Sequence, residues 1–233
     1  MYQYNVQRPE NVLIRHLLLL TGPIAGESSE EVKDGTFDLN WLPYLAYDVL
    51  EENWKFLGRQ LGLNDQQINR IQSDNEGELY EQCYMMLREW RNTGGTFKNL
   101  ADALREVGCA TILETYCLKG SSPSTKDDLE PEVRLKLKKG AVQDEDIVKI
   151  SNSAAVKEKR KAICRALLGV EKADSHLADI ARYQDIGEQT FQILKKWKQS
   201  KGHKFATYEV LAQALHDRTV NLDQVVTDFC TAI

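Results

Sequence analysis

The feature that most constrains this chain is that it repeats part of itself. Glu81-Gln82-Cys83-Tyr84-Met85-Met86-Leu87-Arg88-Glu89-Trp90-Arg91 reads against Glu188-Gln189-Thr190-Phe191-Gln192-Ile193-Leu194-Lys195-Lys196-Trp197-Lys198 in type, order and spacing. Upstream, Leu61-Gly62-Leu63 pairs with Leu168-Gly169-Val170, and both pairs of stretches are offset by the same 107 residues. A unit of about 80 residues is too large for a solenoid repeat, so two similar globular domains in tandem are expected. A chain of 233 residues has room for two such domains. Each would hide only about two thirds of its unfolded surface, so each needs a well-filled core. Two copies of one surface also point toward bringing partners together.

The apolar spacing is helical throughout. In the first half Leu39, Leu42, Leu45, Ala46 and Val49 recur at three- and four-residue steps, and Trp54, Leu57 and Leu61 continue the pattern up to Gly62. Asn64 and Asp65 are candidate caps for a helix carrying Ile68 and Ile71. Leu79, Cys83, Met86, Leu87 and Trp90 form one clear stripe. Leu100 to Val107 and then Ile112 and Leu113 mark two more helices. The second half follows the same order, from Asp144 through Val156, Ile163 and Leu167, Leu177 and Ile180, the Ile186 to Trp197 stripe, Leu211 to Leu215 and Leu222 to Val226. No segment alternates with period two, so the fold class is all-α: two six-helix bundles. The expected divisions are an N-terminal extension over 1–37 with a helix from Pro9 to Leu20, a domain over 38–118, a flexible linker over 119–143 and a second domain over 144–233. The linker rests on Gly120-Ser121-Ser122-Pro123-Ser124-Thr125, which has strong breakers and no apolar content.

Several kinds of chemistry are argued against by residue type and spacing. The five cysteines form no CxxC pair, and their odd number suits a reduced intracellular chain without structural disulfides. The four histidines lie in separate segments, so no metal centre is expected, and Gly94-Gly95 lacks the following Lys-Ser/Thr of a phosphate-binding loop. No cofactor and no catalytic residue is expected. Val12 to Leu20 is too short and too interrupted to span a bilayer. It also lacks the pattern of a cleaved signal peptide. Lys157, Lys159, Arg160, Lys161 and Arg165 form a basic run, but no aromatics interleave it and the chain as a whole carries a net charge of −5, which argues against nucleic acid. Trp54, Trp90 and Trp197 sit on apolar stripes and are expected in the cores.

Charge is unevenly divided. From Asp38 to Leu118 there are 7 Lys/Arg against 13 Asp/Glu, whereas from Asp144 to the end there are 14 against 13. An acidic module beside a more basic one suits charge-steered docking of like folds.

These residues resemble the death domain, a six-helix antiparallel bundle of the death-fold superfamily. In the first copy the resemblance is carried by Asn53 to Leu63, Gln67 to Ile71, Gln82 to Trp90, and Thr96 with Leu100 to Leu104. In the second it is carried by Gln189 to Trp197 and Phe205 to Leu215. The second copy departs where Lys161 stands in place of Trp54, and where Ala173 to Tyr183 matches poorly. Neither copy has the Arg-x-Asp-Leu-Leu signature of a death-effector domain.

The resemblance implies a cytoplasmic, non-enzymatic adaptor in apoptotic or innate-immune signalling. Its partners would be other death-domain proteins (receptor tails, caspase or kinase adaptors) and further copies of itself. It also implies which faces bind, because the family uses asymmetric contacts between helix faces and loops. Lys195, Lys196 and Lys198 on the fourth helix of the second copy, with Lys201 and Lys204 after it, would supply a basic face. Asp48, Glu51 and Glu52 near the junction of the first two helices, with Asp74, Glu76 and Glu78 after the third, would supply an acidic one. The alternative is an inhibitory or decoy module in which the two domains dock on each other.

Overall fold

The N-terminal helices wrap an aromatic centre that begins before the expected domain start. In the computed structural model, which describes residues 31–49, 54–124, 129–202 and 204–232, Phe37 is fully buried. Its ring lies 5.3 to 6.3 Å from those of Trp41, Trp90, Phe97 and Tyr116. A 3-10 turn over Leu39–Trp41 then leads into α1 (Leu42–Asp48), with Pro43 in the first turn where its missing N–H costs nothing. The first lobe continues with α2 (Trp54–Gln60), α3 (Asp65–Asp74), α4 (Leu79–Asn92), α5 (Phe97–Val107) and α6 (Ala110–Cys117). Asn64 starts α3 with a full capping box: its side chain accepts from the Gln67 N–H, and the Gln67 side chain accepts from the Asn64 N–H. Thr96 caps α5 in the simpler way. Leu45, Leu57, Ile68, Met86, Leu87, Leu100 and Leu104 fill the core between these helices.

The second lobe has α7 (Pro131–Lys136), α8 (Asp144–Asn152), α9 (Ala154–Glu158), α10 (Arg160–Leu168), α11 (Val170–Ile180), α12 (Ile186–Lys201), α13 (Tyr208–His216) and α14 (Asp223–Val225), the last running into a π-turn over Val226–Cys230. Its main core is built on Ile147, Ile150, Ile163, Trp197, Leu211 and Leu215. Where the periodicity suggests one continuous helix through Val156 and Ile163, the backbone breaks at Lys159 into α9 and α10. No strand forms among the described residues.

Local details recur between the lobes. Gly62 and Gly169, 107 residues apart, both take positive φ (93° and 79°), at the turns into α3 and α11, a conformation that L side chains rarely adopt. Two isolated backbone bridges tie the segment leading into the first lobe to its later helices, Val32 with Leu118 and Thr36 with Thr96. The second lobe has the counterpart pair, Leu137 with Thr231 and Ala141 with Thr207.

Two expected boundaries differ from what is seen. Residues 32–37 are part of the first lobe; the helix expected over Pro9–Leu20 lies outside the described residues. The stretch expected to be a flexible linker is packed in its second part. Leu129, Leu137 and Val142 are buried in the second core. The N–H of Lys138 donates to the Cys230 carbonyl, and that of Val142 to Ala206. Glycine, serine and proline content marks the connector at 120–124, but three apolar anchors beyond it decide where packing resumes. Both lobes lie within one compact body from Val32 to Ile233.

Candidate interaction surfaces

Beside the apolar stripe that builds the first core, α4 carries Glu81, Arg88 and Tyr84, the last also part of that core, and the neighbouring α1 carries Tyr44 and Asp48. This face meets the second lobe. Arg165 of α10 donates two parallel bonds to Glu81, at 2.7 and 2.9 Å, with side-chain exposures of 3% and 6%. The fork of a guanidinium matches a carboxylate in this way, where a lysine would act as a single point. The same guanidinium lies 3.5 Å from the centre of the Tyr84 ring, a cation–π contact removed from water. Its Nε also donates to Asp174 of α11 at 3.2 Å. Asp174 in turn accepts from the Tyr84 hydroxyl at 2.8 Å and from Arg88 at 3.0 Å.

Around this centre the contact is more hydrated but keeps its polarity. Lys161 and Arg160 reach Glu78, at 2.7 and 3.9 Å. Arg218, beyond α13, donates to both oxygens of Asp48 at 2.8 and 3.1 Å and to the Tyr116 hydroxyl at 3.0 Å. The Tyr44 hydroxyl donates to Asp217 at 2.7 Å. Val170, at the head of α11, is buried in the first lobe's own core cluster. The first lobe thus presents three carboxylates, and the second presents cations to all of them.

Burial pushes the Glu81 carboxyl up, but the Arg165 guanidinium outweighs it and holds the group below the usual carboxylate range. Arg165 responds in the opposite sense: burial lowers it, and Glu81 raises it well above its ordinary value. The pair is therefore charged on both sides at neutral pH. Removing one partner from such a pair strands a charge away from water, at a cost of about 3–5 kcal/mol.

The structure divides the residues expected to bind partners. Asp48 and Glu78 are engaged by the second lobe. Asp74 and Glu76 are exposed, and Glu51 and Glu52 lie outside the described residues. Lys195, Lys196, Lys201 and Lys204 are exposed, with the Lys195 ammonium 5.7 Å from the Phe191 ring. Lys198 is different. It is buried and bonded to Asp144 of its own lobe at 2.7 Å, because its place on α12 turns it toward α8. The basic run from Lys157 to Arg165, weighed above against nucleic acid, spends Arg160, Lys161 and Arg165 on the first lobe. Sequence reasoning missed Tyr44, Glu81, Tyr84, Arg88, Asp174, Asp217 and Arg218 as contact residues. The charge split between the halves was the one signal that pointed to docking, without naming these groups.

Burial pushes the thiols of Cys83, Cys117, Cys164 and Cys230 up to about 12, so none is poised as a nucleophile. Among the described residues no group of three His, Cys, Asp or Glu could hold a metal ion, and no helix is long and apolar enough to cross a membrane.

Comparison with protein families gives a match to the Death domain over residues 42–116, which runs from the first residue of α1 to Tyr116 in α6. Residues 42–116 are therefore similar to a death domain, a kind of protein–protein interaction module in signalling. The match does not extend into the second lobe. Neither the curated proteins nor the solved structures provide a match to this chain.

Proposed function

We propose that the chain is a cytoplasmic, non-enzymatic adaptor acting through homotypic death-domain contacts in apoptotic or innate-immune signalling, with residues 144–233 forming a second death fold. The observation that supports this reading is the recurrence, in the second lobe, of the positive-φ glycine and the paired backbone bridges of the lobe that matches the death-domain model. The exposed lysines Lys195, Lys196, Lys201 and Lys204, and the exposed acids Asp74 and Glu76, are the surfaces left open for partners. One exposed ion pair contributes only about 0–1 kcal/mol, so such contacts need to be multiple to hold an assembly. Reversing the four lysines to glutamate should abolish capture of death-domain partners in a pull-down and leave the helical circular dichroism unchanged. Undiminished capture would remove the basic face from the mechanism.

A second reading is favoured by the inter-lobe contact itself. The α1–α4 face of the recognised death domain is covered by the chain's own second lobe, so that face is closed to partners while the lobes stay docked. In this reading the chain is inhibitory, or held inactive until the lobes part.

A further inference from the structure

The covered face has a chemistry that few surfaces satisfy. A replacement for the second lobe must bring a guanidinium to Glu81 and the Tyr84 ring. It must also bring a carboxylate within reach of the Tyr84 hydroxyl and Arg88. The first lobe of another copy does not qualify, since the position 107 residues before Arg165 is Gly58, which has no side chain and where an added Cβ would stand 3.1 Å from Met86. The second lobe of another copy meets every requirement. We infer that the inter-lobe contact is exchangeable: in an opened chain the Glu81 face of one copy takes the Arg165 face of the next, and the docked lobe is the stand-in that prevents this.

The geometry supports exchange in two ways. The contact is heterologous, joining unlike faces, so once it is made between copies it leaves an unmatched face at each end and can propagate. The covalent link between the faces has no helix or strand over residues 121–124. The buried charges of an opened chain are hydrated and unpaired, and docking on a second copy restores every bond of the closed one. Opening and assembly therefore compete for one pair of surfaces.

This inference rests on the docked reading above, and the test separates the two. Full chains carrying Glu81→Arg or Arg165→Glu each lose the pair, and each should show faster amide exchange across α4 and α10, by at least about tenfold, with helical content retained. The first keeps a native Arg165 face, and the second a native Glu81 face. Mixed, they should form a complex by sedimentation velocity that associates at least about tenfold more tightly than either variant with itself. The doubly reversed chain E81R/R165E should close again, with exchange protection restored. If a single variant loses helical content, Asp48→Arg and Arg218→Asp provide the same comparison at the better hydrated edge of the contact. Exchange protection unchanged in the single variants would overturn the docked reading. Opened variants that do not pair on mixing would overturn exchange alone and leave docking standing.

Discussion

Arg165 and Gly95 show how much a single residue decides here. A Cβ added at Gly95 would collide with the Trp90 indole, so the turn between α4 and α5 closes only over glycine. Gly95→Ala should cost about 1–3 kcal/mol in urea denaturation, because the ring it strikes is locked in the core. Trp90 and Trp197 are both buried, and truncating either to alanine should cost about 3–5 kcal/mol. Those indoles were legible as core from their spacing alone. Arg165 was not: it lies among other bases on a short helix, and nothing local distinguishes the one that is buried. The four thiols raised to about 12 should resist a thiol reagent at pH 8 in the native chain and react once urea is added.

Among the elements, α3, α5 and α13 start where their caps say they should. Asn64, Thr96 and Thr207 each accept an N–H three residues on. Asn64→Ala should lower the melting free energy by about 0.5–2 kcal/mol, the larger effect expected because both halves of the box are lost. The stripe of α4 made that helix readable to within two residues, whereas α12 runs four residues past Trp197, the last residue of its stripe, and takes in Lys201, expected after the helix. The break between α9 and α10 was not readable, since Lys157 to Lys161 lacks proline and glycine and has no apolar phase to interrupt. The place of Phe37 was hidden for a related reason: it is a lone aromatic in a non-periodic segment, and only tertiary packing makes it the centre of five rings.

For the whole molecule, the charge imbalance foretold that the halves attract, but not through which groups. Lys195 to Lys204 was the conspicuous cluster, yet the structure uses the less conspicuous Arg160, Lys161, Arg165 and Arg218. Sequence gives the sum of charge on a lobe; the fold decides which charges face the neighbour. A pH dependence follows from Glu81. Its carboxyl is held below its unfolded value, so the stabilisation is fully present above about pH 4.3 and is lost as pH falls through the lower folded value. Protection of α4 and α10 should therefore persist at pH 5 and decline below about pH 4, and Glu81→Gln should flatten that acid limb. A double-mutant cycle on Glu81→Ala and Arg165→Ala, followed by urea denaturation, asks most directly whether the lobes are joined as described. A coupling of about 1–3 kcal/mol is expected, whereas costs that add to within about 0.3 kcal/mol would contradict the contact.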